Sequence, residues 1–562
     1  MFRKLLRSLW AVMLVLSLSI PAFSLADEPV PLDILFLGLT STPEDVQRVL
    51  DSDVNKVLQD AAGVKITASA VDDEQKQVVL AGNDLTDIVV IRKQTDILSM
   101  IEGGQLLPLN DLIEQYGENI RTIRPERLKM AQTLLSDGSG QAYVLPIYAG
   151  REDRAPKVSH SIYMTRWDYY KEMGYPEVKT PDDMLNLLKD MQEKYPTTDE
   201  GKPVYGVSFF TSQFSTNDFD KRFHHTFGFH TINPNILWKV SDQSMVFNYT
   251  APDGPYWMAA EYYNKAYRMG ILDPDSLSQT SEDFATKATA GQILSPWLRA
   301  FGRGFDNRML EQDPNSLKGF ETIPVDGVTL WTNVTQAAGW EEFYVAIPAN
   351  CSNPEKAMQF INYCFGYDGS RLISSGIEGK HWNKVDGVPT LTDEIKKMYR
   401  EGGEAWQATG INAEPYPYFL AGVAALEMHP DGGPVNLFAS DDFYKSLSTP
   451  LDKEYSEHFG AEYPYGVFLK LIDEGRVFDR STVDMRVVSG MGSAPEDIQR
   501  IDTKLLDIAV KAIPKAVLAE TEEDFQKVKE QTIAELNDAQ AEVSKAWWQE
   551  RFDTVKALFQ DQ

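Results

Sequence analysis

Residues 33–39 read DILFLGL, residues 64–71 read VKITASAV and residues 87–91 read DIVVI. Each stretch has the length and the apolar or alternating pattern of a β-strand. Helix-like segments separate them, and the first begins with Thr42 and Pro43, a capping residue followed by proline at the first helical position. Strands that alternate with helices in this way predict a parallel sheet with right-handed crossovers.

The carboxyl ends of these predicted strands identify the edge of the sheet at which a ligand is expected. Those ends fall at residues 38–42 and 92–95. Arg92 lies directly after the third strand, where its guanidinium could bind hydroxyl groups or a carboxylate. A surface salt bridge is the alternative role for this arginine.

The length of the chain, 562 residues, predicts more than one folding unit, because a single hydrophobic core rarely grows to that size. The polar stretch YAGREDRAPKVS at residues 148–159 interrupts the first α/β pattern and is typical of a linker. A second α/β segment follows it, and the chain from residue 495 onward has a strongly helical pattern.

The N-terminus has the features of a secretory signal peptide. Arg3, Lys4 and Arg7 precede an apolar stretch at residues 9–20, and small residues then lead to a cleavage site after Ala26. The apolar stretch is shorter than the roughly 20 residues that a membrane-spanning helix needs, which disfavours an uncleaved anchor. Because no cysteine lies near the cleavage site, we expect a protein that is secreted across the cytoplasmic membrane, is not lipid-anchored and resides in the periplasm.

The acidic composition argues against two classes of partner. The formal net charge is −29 at pH 7. A surface of that sign repels nucleic acid and anionic lipid head groups, so neither is expected as a main partner.

The two cysteines, Cys351 and Cys364, are expected to be free thiols. Asn353 and Pro354 predict a helix between them. Ten residues of helix hold their ends about 15 Å apart, whereas the Cα atoms of a disulfide lie within about 7 Å of each other.

Four further segments follow one another along the chain. They read TDILSMIEGGQLLPLNDL at residues 95–112, YVLPIY and SIYMTRWD within residues 143–168, DFA and GQILSPW within residues 283–297, and AIP and NPEKAMQFI within residues 346–361. In this order they resemble the extracellular solute-binding proteins of ABC importers, in particular the large oligosaccharide-binding branch that includes alginate-binding proteins. GIEGKHW at residues 376–382 is similar to a motif of the same branch.

The resemblance implies an α/β, two-lobed periplasmic-binding-protein fold of type II, in which each lobe is a mainly parallel sheet flanked by helices. A helical C-terminal extension is also expected. The implied boundaries are residues 27–148 and 296–343 for the N-terminal lobe, 160–292 and 350–494 for the C-terminal lobe, 149–159, 293–295 and 344–349 for the hinge crossings, and 495–562 for the extension.

The same resemblance implies a receptor that captures an oligosaccharide between its lobes and passes it to the membrane subunits of an ABC importer. Such proteins close around the ligand by rigid-body rotation, driven by the higher affinity of the closed state. A monomer without enzymatic activity is expected.

Sugar-binding sites combine flat aromatic rings with hydrogen-bonding groups in a cleft. Trp297 follows a predicted strand at the place where the family often has an aromatic residue that stacks on the ligand, with core packing as its alternative role. Trp340 and Glu341 precede the last crossing strand. The full set of expected ligand contacts is Trp297, Trp340, Glu341, Arg92, Tyr148, Phe214 and Trp382. A hinge-packing role is the alternative for Tyr148, and a structural role is favoured for Phe214 and Trp382.

Metals and cofactors are not expected. The large branch often has a calcium loop, but the corresponding residues 197–203 read TTDEGKP and offer too few oxygen ligands. His224, His225 and His230 are close in sequence, yet their spacing fits no standard zinc pattern.

Three other functions stay open. A secreted carbohydrate-active enzyme would suit Trp340, Glu341 and Glu342, since glycosidases use paired carboxylates. However, the sequence contains no GxSxG, HExxH or phosphate-binding loop. The same receptor fold could instead bind a peptide or another small solute, or signal to a membrane sensor. Arg92, Arg151 and Arg154 permit an acidic ligand without requiring one.

Overall fold

The computed structural model describes residues 28–39, 41–92, 94–123, 125–147, 161–210, 217–330, 343–414, 416–417, 420–423, 427–479 and 483–559. The first part of the chain contains β1 (Val30–Leu37), α1 (Pro43–Leu50), α2 (Asp53–Ala62), β2 (Val64–Val71), α3 (Asp73–Gly82), β3 (Ile88–Ile91), α4 (Gln94–Glu102), α5 (Asn110–Tyr116), α6 (Glu118–Thr122), α7 (Pro125–Leu134) and β4 (Val144–Ile147). The second part contains β5 (Met164–Arg166), α8 (Trp167–Glu172), α9 (Pro181–Lys194), α10 (Asn217–Thr226), β6 (Phe229–Asn233), β7 (Ile236–Lys239), β8 (Ser244–Phe247), α11 (Pro255–Arg268), α12 (Ser281–Thr289), α13 (Arg299–Gln312), β9 (Phe320–Thr322) and β10 (Val328–Leu330).

The third part contains β11 (Phe343–Ala346), α14 (Pro354–Cys364), α15 (Tyr367–Ser375), β12 (Trp382–Val385), β13 (Val388–Leu391), α16 (Asp393–Glu401), α17 (Gly403–Thr409), a short 3₁₀ helix (Leu437–Ala439) and α18 (Asp441–Leu447). The fourth part contains α19 (Pro450–His458), α20 (Pro464–Asp473), β14 (Val477–Asp479), α21 (Met485–Met491), α22 (Glu496–Val517), α23 (Glu522–Asp538) and α24 (Ala541–Ala557).

The first and third parts form one lobe, lobe 1, around a five-stranded sheet of order β2-β1-β3-β11-β4. β1 pairs in parallel with β2 and with β3, as the sequence predicts. β3 is buried along its whole length, because helices cover both faces of the sheet. The predicted first helix is two helices, since Ser52 caps a second one by accepting a hydrogen bond from the Asn55 backbone N–H.

The second and fourth parts form the other lobe, lobe 2, which has the larger hydrophobic core. β5 pairs with β9, and β6, β7 and β8 form an antiparallel sheet. Isolated parallel bridges join Tyr205 to Ile293 and Val207 to Leu272. β10 pairs with β14, which ties the second part of the chain to the fourth.

The predicted boundaries between the lobes are wrong at several places, and residues 344–349 are not a crossing, because β11 lies within the sheet of lobe 1. Residues 296–330 lie in lobe 2, because α13 packs on β9, and β9 is paired with β5. The described residues of the range 350–447 lie in lobe 1, because β11 inserts between β3 and β4 and carries the chain into that sheet. Residues 293–295 are not a crossing, since Ile293 is bridged to Tyr205 within lobe 2.

The predicted C-terminal helices are confirmed, and they pack on lobe 2. The Tyr256 hydroxyl on α11 donates a hydrogen bond to the Ala509 carbonyl on α22 at 2.6 Å. The Asn264 amide donates to the carbonyls of Val517 and Ala519. Trp548 on α24 is 5% exposed, so this extension shares the core of lobe 2.

The two cysteines are free, as predicted. Cys364 is buried and Cys351 is half-buried. α14 separates them, with Pro354 at its start and the Asn353 side chain accepting a hydrogen bond from the Lys356 backbone N–H. Burial raises the pKa of the Cys351 thiol to about 11.

Gly376, the first residue of the GIEGKHW motif, has a backbone conformation that only glycine adopts without strain. Its φ is 80° and its ψ is −156° at the end of α15. A Cβ atom here would lie 2.2 Å from His381 Nδ1, which accepts a hydrogen bond from the Ile377 N–H. Burial lowers the pKa of His381 to about 4, which keeps the ring neutral and able to accept this bond.

We therefore expect Gly376→Ala to lower the free energy of unfolding by about 1–3 kcal/mol for backbone strain, with a further loss from the clash. Gly387 is the control, because its φ is 83° but a Cβ atom there would meet no atom within 4 Å. Urea unfolding of both alanine variants measures the difference. Equal losses in the two variants would show that the contact with His381 carries no cost.

Within the described residues, no helix combines the length and the hydropathy needed to cross a membrane.

Candidate ligand-binding cleft

The carboxyl ends of three strands of lobe 1 lie along one edge of its sheet. β1 and β3 are parallel, and β4 runs in the same direction because β11 is antiparallel to both β3 and β4. The chain leaves this edge after β4 to enter lobe 2 and returns to it at the start of β11. This edge therefore faces lobe 2, which is where the parallel-sheet rule places a ligand.

A buried lysine stabilises the lobe 1 side of the cleft. Lys76 is 2% exposed, and its Nζ lies 2.7 Å from Asp73 Oδ1 and 2.7 Å from Asp96 Oδ2. Burial alone would lower the pKa of Lys76, but hydrogen bonds to Asp73 and Asp96 outweigh it and raise the pKa. The lysine thus ties α3 to α4 beside Gly38, at the carboxyl end of β1.

Arg92 lies at the predicted place, directly after β3, and its side chain is exposed. Its guanidinium carbon is 5.8 Å from the centroid of the Phe343 ring at the start of β11. Nearby, the Gln94 amide donates a hydrogen bond to the Tyr344 hydroxyl at 3.0 Å. A hydrogen bond from Arg92 to a ligand stays a prediction.

Trp297 lies at the lobe 2 side of the cleft. The Ser161 N–H donates to its carbonyl at 3.3 Å, so Trp297 is next to the point where the chain enters lobe 2. Its ring is 3% exposed and packs with Phe210, Phe284 and Phe301, which together with Trp297 we call the aromatic cluster. The ring centroids of Trp297 and Phe301 are 5.6 Å apart in an edge-on arrangement.

Trp382 is in the core of lobe 1. It is 6% exposed, its indole N–H donates to the Gly376 carbonyl at 3.0 Å, and the Arg371 guanidinium carbon lies 5.4 Å from its ring centroid. These contacts favour the structural role that the sequence already suggested for this residue. Tyr148, Phe214, Trp340 and Glu341 lie outside the described residues.

An ion cluster that the sequence did not reveal lies close to Trp297 along the chain. Arg299, the first residue of α13, lies 3.0 Å from Asp306, 3.0 Å from Glu321 and 3.8 Å from Asp452. Burial alone would lower the pKa of Arg299, but Glu321, Asp306 and Asp452 outweigh it and raise that pKa. Burial also raises the pKa of Asp306, against the opposing effect of Arg299.

This ion cluster borders a pocket of about 430 Å³ that both lobes line. Asp452 belongs to the capping box of α19, where the chain has just passed from lobe 1 into lobe 2. Tyr399, Arg400 and Tyr444 contribute the lobe 1 wall of the pocket. The cluster therefore connects the segment after Trp297 with a crossing between the lobes.

The clustered histidines are buried in lobe 2. His224 Nε2 lies 3.1 Å from Asp220 Oδ2, and its Nδ1 is hydrogen-bonded to Thr231 at 2.9 Å. Among the described residues, no group of three or more His, Cys, Asp or Glu side chains is arranged to hold a metal ion. In the segment at residues 197–203, Asp199 pairs with Lys318 and Glu200 with Arg308. The absence of a calcium ion there stays a prediction.

The family of the chain follows from a match that covers parts of both lobes. A family model described as "bacterial extracellular solute-binding protein" matches residues 46–370, more than half of the chain and parts of both lobes. The chain belongs to this family. Extracellular solute-binding proteins are binding proteins, which agrees with a cleft between two lobes.

Two curated relatives match at low identity. The fructooligosaccharide ABC transporter substrate-binding protein FusA of Streptococcus pneumoniae is 21% identical over 219 residues, 38% of this chain and 39% of FusA. Lipoprotein LipO of Bacillus subtilis is 22% identical over 381 residues, 64% of this chain and 70% of LipO. The matched stretch thus covers less than half of FusA.

The fold has solved counterparts. An HMO-binding, ABC-transporter-associated solute-binding protein of Bifidobacterium longum infantis superposes with a TM-score of 0.62 and 14% identity, over 94% of this chain and 99% of the other. The alginate-binding protein AlgQ2 without calcium ion superposes with a TM-score of 0.53 and 14% identity, over 94% and 98% of the two chains. At these identities the likeness establishes the two-lobed fold.

Proposed function

We propose that this solute-binding protein captures an oligosaccharide between its lobes and delivers it, unmodified, to the membrane subunits of an ABC importer. The match of the family model across both lobes carries this proposal. The description of FusA as a fructooligosaccharide-binding component of an ABC transporter supports the class of cargo. Solved proteins of the same fold are described as binding HMO or alginate.

The chemistry of the cleft suits a sugar. The aromatic cluster packs near the entrance to lobe 2, where Phe301 is half-buried and its other rings are buried, and Arg92 supplies exposed hydrogen-bond donors at the edge of lobe 1. A sugar presents an apolar ring face and polar hydroxyl groups, which match these two kinds of group. Arg92 is therefore our first candidate for a ligand contact. Trp297 is buried in this structure and would contact the ligand only if closure of the lobes exposes its ring. Trp340, Glu341, Tyr148, Phe214 and Trp382 remain candidates from the sequence.

Closure of the lobes would couple binding to delivery. The lobes are joined where the chain passes from β4 to β5, from β10 to β11 and from α18 to α19. Rotation about these connections would bury the ligand and present a new surface to the importer. The ligand drives this rotation only through its higher affinity for the closed state.

The location and assembly state are also proposals. The predicted signal peptide supports export to the periplasm, and the lack of a cysteine near Ala26 supports a chain without a lipid anchor, although one relative, LipO, is described as a lipoprotein. We propose that the exported protein is a monomer. Mass spectrometry of the exported chain is expected to give an unmodified N-terminus at Asp27. A lipid adduct, or light scattering that gives the mass of a dimer, would contradict this part of the proposal.

Recovery of bound ligand tests the proposed function. The exported protein is incubated with a mixture of neutral and acidic oligosaccharides, separated from free sugar by gel filtration, and denatured to release its ligand. We expect mass spectrometry to find one intact oligosaccharide per chain. Shortened products would indicate an enzyme, and the exclusive recovery of co-purifying peptide would indicate a different cargo.

A further inference from the structure

A pocket of about 400 Å³ lies within lobe 2 and has no residue of lobe 1 in its wall. The turn between β6 and β7 forms one side of it, and α22 and α24 form the other. Asn235, Tyr249, Asp502 and Trp548 are among its lining residues. Its volume is in the range of pockets that bind small molecules.

Asn235 is a buried lining residue with an unused donor. It is 6% exposed, its backbone N–H donates to Asn233 Oδ1, and its own Oδ1 accepts from the Tyr249 N–H at 3.2 Å. Its Nδ2 is buried and has no hydrogen-bond partner among the described residues. A buried polar group without a partner is costly, so this amide is a donor that a ligand could satisfy once a small shift of the pocket wall opens access to Nδ2.

Trp548 gives the pocket a fixed apolar edge, since the residue is only 5% exposed. Its indole N–H donates to Asp502 Oδ2 at 2.9 Å, and Ser544 donates to the other carboxylate oxygen of Asp502. Two helices of the extension thereby hold the ring in one orientation. Pro234 and Leu506 extend the apolar part of the lining.

The remaining lining groups favour a neutral polar ligand. Ser493, Gln499 and Thr503 are exposed at the rim and offer hydroxyl and amide groups. No lysine or arginine is among the lining residues, and Asp502 carries the only acidic side chain of the lining. An anionic ligand would therefore find no countercharge in the wall of this pocket.

We propose that this pocket is a second binding site that takes one neutral saccharide unit, with its apolar face toward Pro234, Leu506 and the accessible edge of Trp548, and a hydroxyl group accepting from Asn235 Nδ2. An oxygen acceptor beside an aromatic ring is the chemistry that a sugar supplies. The site goes beyond the proposed cleft, since its lining belongs to lobe 2 alone.

Fluorine NMR of the exported protein with 5-fluorotryptophan at its tryptophan positions tests the proposal, with sucrose and maltotriose as probes. Trp548→Phe and Trp297→Phe spectra assign the two reporter resonances, one for each site. Thr503→Phe fills the pocket from an exposed rim position. Lys504→Phe is its matched control, because Lys504 is an exposed neighbour on α22 that does not line the pocket.

We expect a probe to move the Trp548 resonance saturably in the unmodified protein and in Lys504→Phe. Thr503→Phe is expected to weaken that apparent affinity by about tenfold or more, which corresponds to about 1.4 kcal/mol. A Trp548 resonance that stays unchanged up to the solubility limit of both probes would overturn the proposal, even if the Trp297 resonance shifts. A shift that persists in Thr503→Phe with the same midpoint would also overturn it. The Trp297 resonance reports the cleft separately, so failure of one site is distinguishable from failure of the other.

Discussion

Replacing Arg299 with methionine is expected to lower the free energy of unfolding by about 3–5 kcal/mol. Arg299 is the cation that Asp306, Glu321 and Asp452 share, and their side chains are only 9–11% exposed. Methionine approximates the length of the arginine stem but removes the positive charge that these three buried carboxylates share. The loss is large because an uncompensated buried charge costs far more than a surface ion pair contributes.

The direction in which pH changes the folding stability of Arg299→Met can be derived. Without Arg299, the pKa of Asp306 in the folded state should rise further above its unfolded value, because burial already raises it. The folded state then binds more protons than the unfolded state, so its stability rises as the pH falls. We therefore expect the deficit relative to the unmodified protein to be largest at neutral pH and to shrink as the medium is acidified.

Arg308→Met is the matched control. Arg308 lies on the same helix, α13, and pairs with Glu200 at 2.8 Å, but Glu200 is 52% exposed. Such a surface pair contributes about 0–1 kcal/mol. Urea unfolding of both variants across a pH series measures the contrast. Equal losses, or a pH-independent deficit in Arg299→Met, would show that the cluster is not held by its charges.

Replacing Trp297 with alanine is expected to weaken oligosaccharide binding by about 30-fold or more, the effect of losing about 2 kcal/mol at a binding hot spot. The aromatic cluster surrounds Trp297 at the entrance to lobe 2, so removal of the indole also removes the support for Phe210 and Phe301. A stability loss of about 3–5 kcal/mol is expected as well, because Trp297 is 3% exposed.

The milder Trp297→Phe variant separates the two effects. Phenylalanine keeps an aromatic ring in the cluster, so folding should survive while affinity still falls. Trp257→Phe is the control, since Trp257 is fully buried in lobe 2 against Phe525 of the C-terminal helices. Isothermal titration of each variant with the oligosaccharide recovered from the unmodified protein measures the two affinities. Unchanged affinity in Trp297→Phe and in a folded Trp297→Ala would assign this residue to packing alone.

The elements that the sequence predicts best are those with local causes. β1, β2 and β3 lie where the apolar runs are, and the caps Thr42 and Asn353 act on their own helices. The helical extension follows from its period of apolar residues. These causes act within a few residues, so a single sequence reveals them.

The assignment of segments to lobes depends on long-range pairing and was predicted wrongly in part. β11 could have joined either lobe on its apolar pattern alone. Its antiparallel pairing with β3 and β4 decides the matter, and it places the described residues of the range 350–447 with lobe 1. A four-residue strand does not carry the identity of its partners in its own sequence.

The residues of the candidate site divide in the same way, into those placed by local sequence order and those placed by long-range contacts. Arg92 follows β3, as local order predicts, whereas the strand predicted before Trp297 is only an isolated bridge at Ile293. Their contacts with a ligand stay predictions. The Lys76 and Arg299 ion clusters were missed, because their partners are up to 153 residues away in the sequence, as Asp452 is from Arg299. A lysine or an arginine on an amphipathic helix gives no sign that its charge is buried.

A thermal-shift screen of residues 27–562 tests the central claim most directly, with neutral and acidic oligosaccharides as ligands and amino acids and peptides as controls. Binding at 100 times the dissociation constant adds about 2.7 kcal/mol of stability, which gives a clear rise in Tm. We predict a rise with one class of oligosaccharide, which is recovered intact after the scan. A rise with peptides and none with any oligosaccharide would contradict the account and leave only the fold and the receptor role.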